Sequence, residues 1–197
     1  MKRVLISVSD KSGLISFAKG LKKLGFEIIA TEGTAKVLKK KNIPVKSVSE
    51  ITGFREILGG KVKTLHPKIF GGILALGSER DLRKLEKEGI EPIDLVIVNL
   101  YPFEKVVERQ DVEFAEAIEN IDIGGPAMIR AAAKGALLHG RPVVVVDPSQ
   151  YQLVIDELNR RDGSLSQDTI KGLAIKAFER TAEYDTLIKN YLRKVVK

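Results

Sequence analysis

Residues 3–48 read RVLISVSDKSGLISFAKGLKKLGFEIIATEGTAKVLKKKNIPVKSV, and this stretch decides the fold. Arg3–Val8 is a short apolar run rich in β-branched side chains, the pattern of a buried strand. Ser9 or Asp10 can cap a helix over 11–24, whose apolar residues at 14, 17, 18, 21 and 24 share one face. Gly25 ends that helix. A second strand is expected over 26–30, a turn over 31–34, a helix over 34–41 and a short third strand over 44–48. Strand, helix, strand, helix, strand in that order opens a parallel, doubly wound sheet.

Working outward, residues 53–77 are loop-rich, with Gly59-Gly60, His66-Pro67 and Gly71-Gly72. A charged helix over 78–88 leads into IDLVIVNL (93–100), the clearest buried strand in the chain, which Pro102 breaks. Two short helices (103–108 and 112–119) precede Ile121-Asp122-Ile123-Gly124-Gly125-Pro126. A helix of small residues over 127–134 and a last strand over 142–146 follow. Amphipathic helices are expected over 148–161 and 166–196, the second split near Glu179. The fold class is α/β: a doubly wound, mostly parallel, Rossmann-like sheet with a helical C-terminal extension. The expected organisation is a single domain, with an α/β core over 1–147 and the extension over 148–197.

Composition narrows the chemistry. The chain has 197 residues, and 44% hydrophobic content is enough for a real core. There is no Cys, which removes disulfides, thiolate metal sites and cysteine nucleophiles. With only two His, a His-rich metal site is not expected either. No apolar run nears the ~20 residues that span a bilayer. The apolar stretch in MKRVLISVSDKSG is too short for a signal sequence, so a soluble cytoplasmic protein is expected. The net charge is +7, from 33 Lys+Arg against 26 Asp+Glu. The lysines of 19–23 and 36–41 interleave with core residues as solvated helix faces do. Aromatic side chains do not alternate with them as a single-strand platform requires. Nucleic acid is therefore not expected, and a small anionic substrate accounts for the charge equally well.

In open parallel sheets, ligands bind beyond the carboxyl ends of the strands. The first strand ends in Ser7-Val8-Ser9-Asp10-Lys11-Ser12-Gly13, the second in Thr31-Glu32-Gly33-Thr34, the long fourth in Asn99-Leu100-Tyr101-Pro102. Hydroxyls, glycine and lysine before helix starts suit a phosphate. Each alone also reads as an ordinary helix cap. Neither GxGxxG nor a Walker A motif occurs, which disfavours a dinucleotide or ATP. Gly59-Gly60-Lys61-Val62-Lys63-Thr64-Leu65-His66-Pro67 is the densest polar cluster. A lysine enclosed beside a second cation releases its proton more readily and can serve as acid or base. His66 before Pro67 reads as turn geometry. Asp122 reads as a cap for a glycine-opened helix, and Lys134 on a small apolar helix marks either a tight site or a side chain reaching solvent. Twelve residues of ideal helix span about 18 Å, so Asp122 and Lys134 share a site only if the chain turns between them.

SVSDKSGL (7–14), TEGTAKVL (31–38), ITGFREILGGKVKTLHP (51–67), NLYPF (99–103), IDIGGPAMIRAAAK (121–134) and KAFERTAEYD (176–185) occur in order across the chain. Together they resemble the IMP cyclohydrolase domain of the bifunctional AICAR transformylase/IMP cyclohydrolase family. The resemblance implies a methylglyoxal synthase-like fold without the transformylase domain. It implies ring closure of FAICAR (5-formamido-imidazole-4-carboxamide ribotide) to IMP with loss of water, the last step of de novo purine biosynthesis. It implies no cofactor and no metal, a homodimer, and AICAR transformylase as a functional partner.

By the same resemblance Ser7, Ser9, Asp10 and Lys11, with Thr31, Glu32, Gly33 and Thr34, hold the ribose phosphate. Lys61, Val62, Lys63, Thr64, Asn99, Leu100, Asp122, Ile123 and Gly124 line the rest of the nucleotide. Lys134 matches the family's proton donor/acceptor, and Lys63, Tyr101 and Asp122 match its other implicated residues; the chemistry of ring closure suits Lys63 as oxyanion stabiliser and Asp122 and Tyr101 as orienting and proton-passing groups. Glu32 stands where the family often has glycine, so it must point away or meet a ribose hydroxyl. Lys61 stands where the family commonly has arginine, replacing a two-pronged donor with a point charge. Two other functions remain on the same fold: a nucleotide-sensing module that binds without turnover, and a methylglyoxal synthase-type lyase.

Overall fold

The structure is a computed structural model and describes residues 2–60, 62–75 and 78–196. In chain order the elements are β1 (Arg3–Val8), α1 (Leu14–Lys23), β2 (Glu27–Ala30), α2 (Glu32–Lys39), β3 (Lys46–Ser47), α3 (Val48–Thr52), α4 (Pro67–Ile73) and α5 (Glu79–Lys87). Then come β4 (Leu95–Asn99), α6 (Phe103–Val107), α7 (Phe114–Glu119), α8 (Gly124–His139), β5 (Val143–Val145), α9 (Tyr151–Arg160) and α10 (Gln167–Val195). The strands pair in the order β3-β2-β1-β4-β5, and every pairing is parallel.

The central strands β1 and β4 are apolar along most of their length because both faces of the sheet are covered. Val4, Leu5 and Ile6 of β1 have no exposed surface, and Val96 and Ile97 of β4 have almost none. α8 packs on β4 and β5, α10 packs on α8, β5 and α6, and α9 packs on α1. The chain lays down β1, β2 and β3 in one direction, then returns to place β4 on the other side of β1. The crevice where strand order reverses therefore lies beyond the ends of β1 and β4, the place such sheets bind ligands.

Three expectations are corrected. α1 starts at Leu14 rather than residue 11, because residues 9–13 form a separate turn. In that turn Asp10 Oδ1 accepts the Ser12 N–H at 2.8 Å, and Gly13 takes a left-handed φ of 68°. α8 is longer than residues 127–134, starting at the glycine pair and running to His139. α10 is continuous rather than split near Glu179. Its buried stripe, Ile170, Leu173, Ala174, Ala177, Thr181 and Tyr184, keeps helical period through that position, and the helix has no Gly or Pro after Gly172. Among the described residues no helix is long and apolar enough to cross a membrane.

Candidate active site

The loop after β1 is shaped by one side chain from β4. Asn99 Oδ1 accepts the N–H groups of Ser9 (2.6 Å) and Asp10 (2.9 Å), and its amide nitrogen donates to the Asp10 carbonyl at 2.9 Å. The Ser9 hydroxyl lies 2.9 Å from Asn99 Oδ1 and 2.7 Å from the Leu100 carbonyl oxygen. Both polar atoms of Asn99 are thus engaged by the backbone of residues 9 and 10, so Asn99 shapes the crevice. Lys11 curls back, its Nζ 3.2 Å from the carbonyls of Val8 and Ser9. The Ser12 hydrogen bonds hold the Asp10 carboxyl below the ordinary carboxylate range.

β2 supplies a second hydroxyl-bearing turn. Thr31 and Thr34 are buried at the start of α2, with their hydroxyls 3.4 Å apart. Thr34 also reaches Val8 of β1, and Thr31 reaches the Ser7 hydroxyl. These contacts knit the ends of β1 and β2 into one wall.

The opposite wall is the start of α8. Asp122 Oδ1 accepts the Gly125 N–H at 2.9 Å, capping the helix from outside its first turn. A side chain at 125 would run into the Asp122 carboxylate and come within 2.7 Å of Leu100, and one at 124 would lie 2.8 Å from the Thr64 hydroxyl. The glycine pair is therefore demanded by close approach of the Thr64 loop and the Asp122 cap. A helix start leaves N–H groups without partners inside the helix, at its positive end. Ile123 and Gly124, at the start of α8, line the crevice.

These walls enclose a cavity of about 380 Å³. It is lined by Ser7, Ser9, Lys11, Thr31, Gly33 and Thr34 from the β1 and β2 ends. Lys63, Thr64, Asn99, Tyr101, Asp122, Ile123 and Gly124 line the rest. Lys63 brings an amine; its Nζ lies 3.3 Å from where a Cβ on Gly60 would sit. Tyr101 is about half exposed at the rim.

Several expected residues lie elsewhere. Glu32 turns away and accepts the Ser49 hydroxyl at 2.6 Å. The Asp10 side chain is committed to the Ser12 turn, Leu100 is buried in the core, and Val62 pairs with Ile57 away from the cavity. Lys61 lies outside the described residues. Lys134 is exposed and does not line the cavity. The chain does not turn between residues 124 and 139, so Lys134 sits about 15 Å along α8 from Gly124. His66 caps α4, its Nδ1 accepting the Lys68 N–H at 3.1 Å.

Glu119, Asn120 and Met128 also line the cavity and were not anticipated. Glu119 and Asn120 directly precede the Asp122 run, and Met128 lies one helical turn after Gly124 on the same face. Helical spacing from Gly124 was the available signal for Met128. Among the described residues no cluster of three or more His, Cys, Asp and Glu side chains could hold a metal ion.

Comparison with known proteins gives concordant results. The MGS-like domain family model matches residues 13–127, and the AICARFT/IMPCHase bienzyme model matches residues 132–197. The bifunctional purine biosynthesis protein PurH of Persephonella marina is 54% identical over 192 residues, 97% of this chain and 36% of that protein. PurH of Bacillus subtilis is 50% identical over 197 residues, all of this chain and 38% of that protein. The chain therefore spans little more than a third of the length of these relatives. The crystal structure of ForH superimposes with a TM-score of 0.83 at 34% identity, covering 97% of this chain and 98% of that one.

Proposed function

The chain belongs to the MGS-like domain family, and from that premise we propose that it is an IMP cyclohydrolase, closing FAICAR to IMP. The observation that carries the reading is one cavity in which Lys63, Tyr101 and Asp122 face the hydroxyl-bearing ends of β1 and β2. Residues 1–147 serve as its α/β core and 148–197 as a supporting helical extension. The enzyme acts on a small nucleotide in the cytoplasm, without cofactor or metal. In the longer relatives' context, a transformylase supplies the formylated substrate.

The reaction is intramolecular, so holding the two groups in contact is itself a large part of the work. The carboxamide nitrogen attacks the formyl carbon, forming a C–N bond, and one of its protons moves to the formyl oxygen. The carbinolamine then loses that oxygen as water together with the N–H proton of the former formamide, leaving the C=N bond of the purine. The Ser9 and Thr31–Thr34 turns hold the phosphate. Lys63 and the opening N–H groups of α8 at Ile123 and Gly124 stabilise the oxyanion as it forms. Asp122 and Tyr101 orient the carboxamide and pass its proton.

Lys134 takes part only from a second copy, since its own helix carries it away from its own cavity. Leu137 and Leu138, one turn on, are 47% and 60% exposed and give that face of α8 an apolar rim for a homodimer. In a two-fold dimer, mixing Lys63→Ala with Lys134→Ala chains restores one intact site per mixed dimer, about a quarter of wild-type activity. No recovery from folded, exchanging dimers overturns the role of Lys134. The function itself is tested by the absorbance change of FAICAR mixed with the purified chain in the presence of a chelator. Turnover to IMP is expected; tight IMP binding without turnover points instead to a nucleotide-sensing module.

A further inference from the structure

The KAFERTAEYD run lies on α10, and its tyrosine reaches the candidate site. Tyr184 has no exposed surface and is among the largest fully buried side chains of the protein. Its Oη accepts the Asp122 N–H at 2.8 Å, across 62 residues of sequence. The ring meets Phe103 of α6 edge-on, with centroids 6.3 Å apart and planes at 72°. Phe103 follows Tyr101-Pro102, so one buried side chain of the C-terminal extension touches both segments that carry Tyr101 and Asp122.

The hydrogen bond falls at a sensitive place. The Asp122 carboxylate caps α8 through Gly125, while its own N–H, just before the first residues of that helix, is held by Tyr184. Tyr184 thus holds the backbone of Asp122 from behind while the carboxylate holds the helix in front. The peptide between these two anchors has little freedom. Arg180 and Glu104 extend the contact, 3.8 Å apart, and Glu104 Oε2 is buried with no hydrogen-bond partner among the described residues. Burial raises the Tyr184 hydroxyl above its ordinary pKa and, with the charges of Asp122 and Glu104, outweighs the lowering by the Asp122 N–H bond and Arg180. The hydroxyl stays neutral and available to accept.

Resting on the cyclohydrolase reading, we infer that Tyr184 is a positioning residue: its hydroxyl fixes the Asp122 peptide and so aims the Asp122 carboxylate and the first α8 amides at the reacting formyl group. The C-terminal helix is in this way part of the catalytic wall, acting through Asp122.

The test compares Tyr184→Phe with Tyr191→Phe in the full chain. Tyr191 lies on the same helix and meets the same Phe103 edge-on, at 5.6 Å, so it controls for the loss of a hydroxyl from the helix. With FAICAR as substrate, Tyr184→Phe should lower kcat about tenfold or more, with KM within about twofold, because it disturbs aim rather than substrate binding. Tyr191→Phe should match wild type. A folded Tyr184→Phe with wild-type kcat overturns the inference, as does an equal loss in both variants. If Tyr184→Phe does not fold, hydrogen exchange on the wild-type chain decides. A protected Asp122 amide whose resonance shifts when IMP is added supports the inference; rapid exchange, or no shift with IMP bound, overturns it. If wild type fails to convert FAICAR, the cyclohydrolase reading falls, and the exchange measurement still reports on Tyr184 and Asp122.

Discussion

At the amino edge of the sheet, Arg3 is 7% exposed and ringed by acids. Its Nε lies 2.5 Å from Glu27 and its Nη2 2.7 Å from Glu91, while its backbone N–H donates to Asp94 at 2.8 Å. Lys46 meets Glu27 at 2.5 Å and Arg141 meets Asp94 at 3.7 Å, so the circuit ties the starts of all five strands. At the carboxyl edge, the same strands end in hydroxyls, glycines, an asparagine and helix-start amides around an open cavity. One edge satisfies its charges internally and seals. The other shapes a crevice with Asn99, hydroxyls and the Asp122 cap, and leaves Lys11 and Lys63 lining an open space. The ion-paired edge and the candidate site are thus separated along the strand direction, which makes the comparison open to direct attack.

The largest effect is expected at the sealed edge. Arg3→Ala leaves Glu27 and Glu91 without the buried guanidinium they share, while Asp94 keeps the residue-3 backbone N–H and Arg141, and it should cost about 3–5 kcal/mol in urea unfolding. Turnover per folded molecule should be unchanged; a matching loss of kcat would show that the two edges are coupled. Lys63→Ala should do the reverse, lowering kcat about 10²–10³-fold with the unfolding midpoint unmoved. Asn99→Ala tests the crevice scaffold. It strands the Ser9 and Asp10 N–H groups and should weaken IMP binding about tenfold in calorimetry.

Acid should strike the sealed edge next. Burial pushes the Glu27 carboxyl up, but Lys46 and Arg3 more than offset this and hold it below its usual 4.5. A carboxyl lowered in the folded state stabilises fully above its unfolded value and loses that contribution as pH falls through the folded one. Urea midpoints should therefore decline below pH 4.5, and Glu27→Gln should flatten that part of the profile. The smallest effect is expected for Glu32→Ala. That carboxylate is bonded to Ser49 outside the cavity, so KM should change less than about twofold. A larger change would bring Glu32 back to the nucleotide.

The fold was legible where local pattern and tertiary role agree. RVLISV and LVIVN are continuous apolar runs because parallel strands are covered on both faces, so β1 and β4 could be read directly. The turns at 9–13 and 31–34 were legible as candidate ligand loops because hydroxyls and glycine cluster at strand ends. Lys134 was not legible as distant from Asp122. Whether the chain turns between them depends on α8 starting at Gly124, which Thr64 and the Asp122 cap enforce from outside the helix. The role of Asn99 escaped because both of its polar atoms engage a loop ninety residues away in sequence.

Sequence alone determined the strands, the helix faces and the glycine-opened helix, since each rests on spacing within a few turns of chain, and the family likeness rests on six runs met in order over residues 7–185. Tertiary structure decided which of those residues meet. It turned Glu32 and Lys134 away from the cavity, drew Glu119, Asn120 and Met128 into it, and set Tyr184 behind Asp122. The reason is physical: side-chain period is a local property of the backbone, whereas a shared cavity depends on how separate elements pack, and residues as far apart as 122 and 184 meet only once α10 has docked on α8.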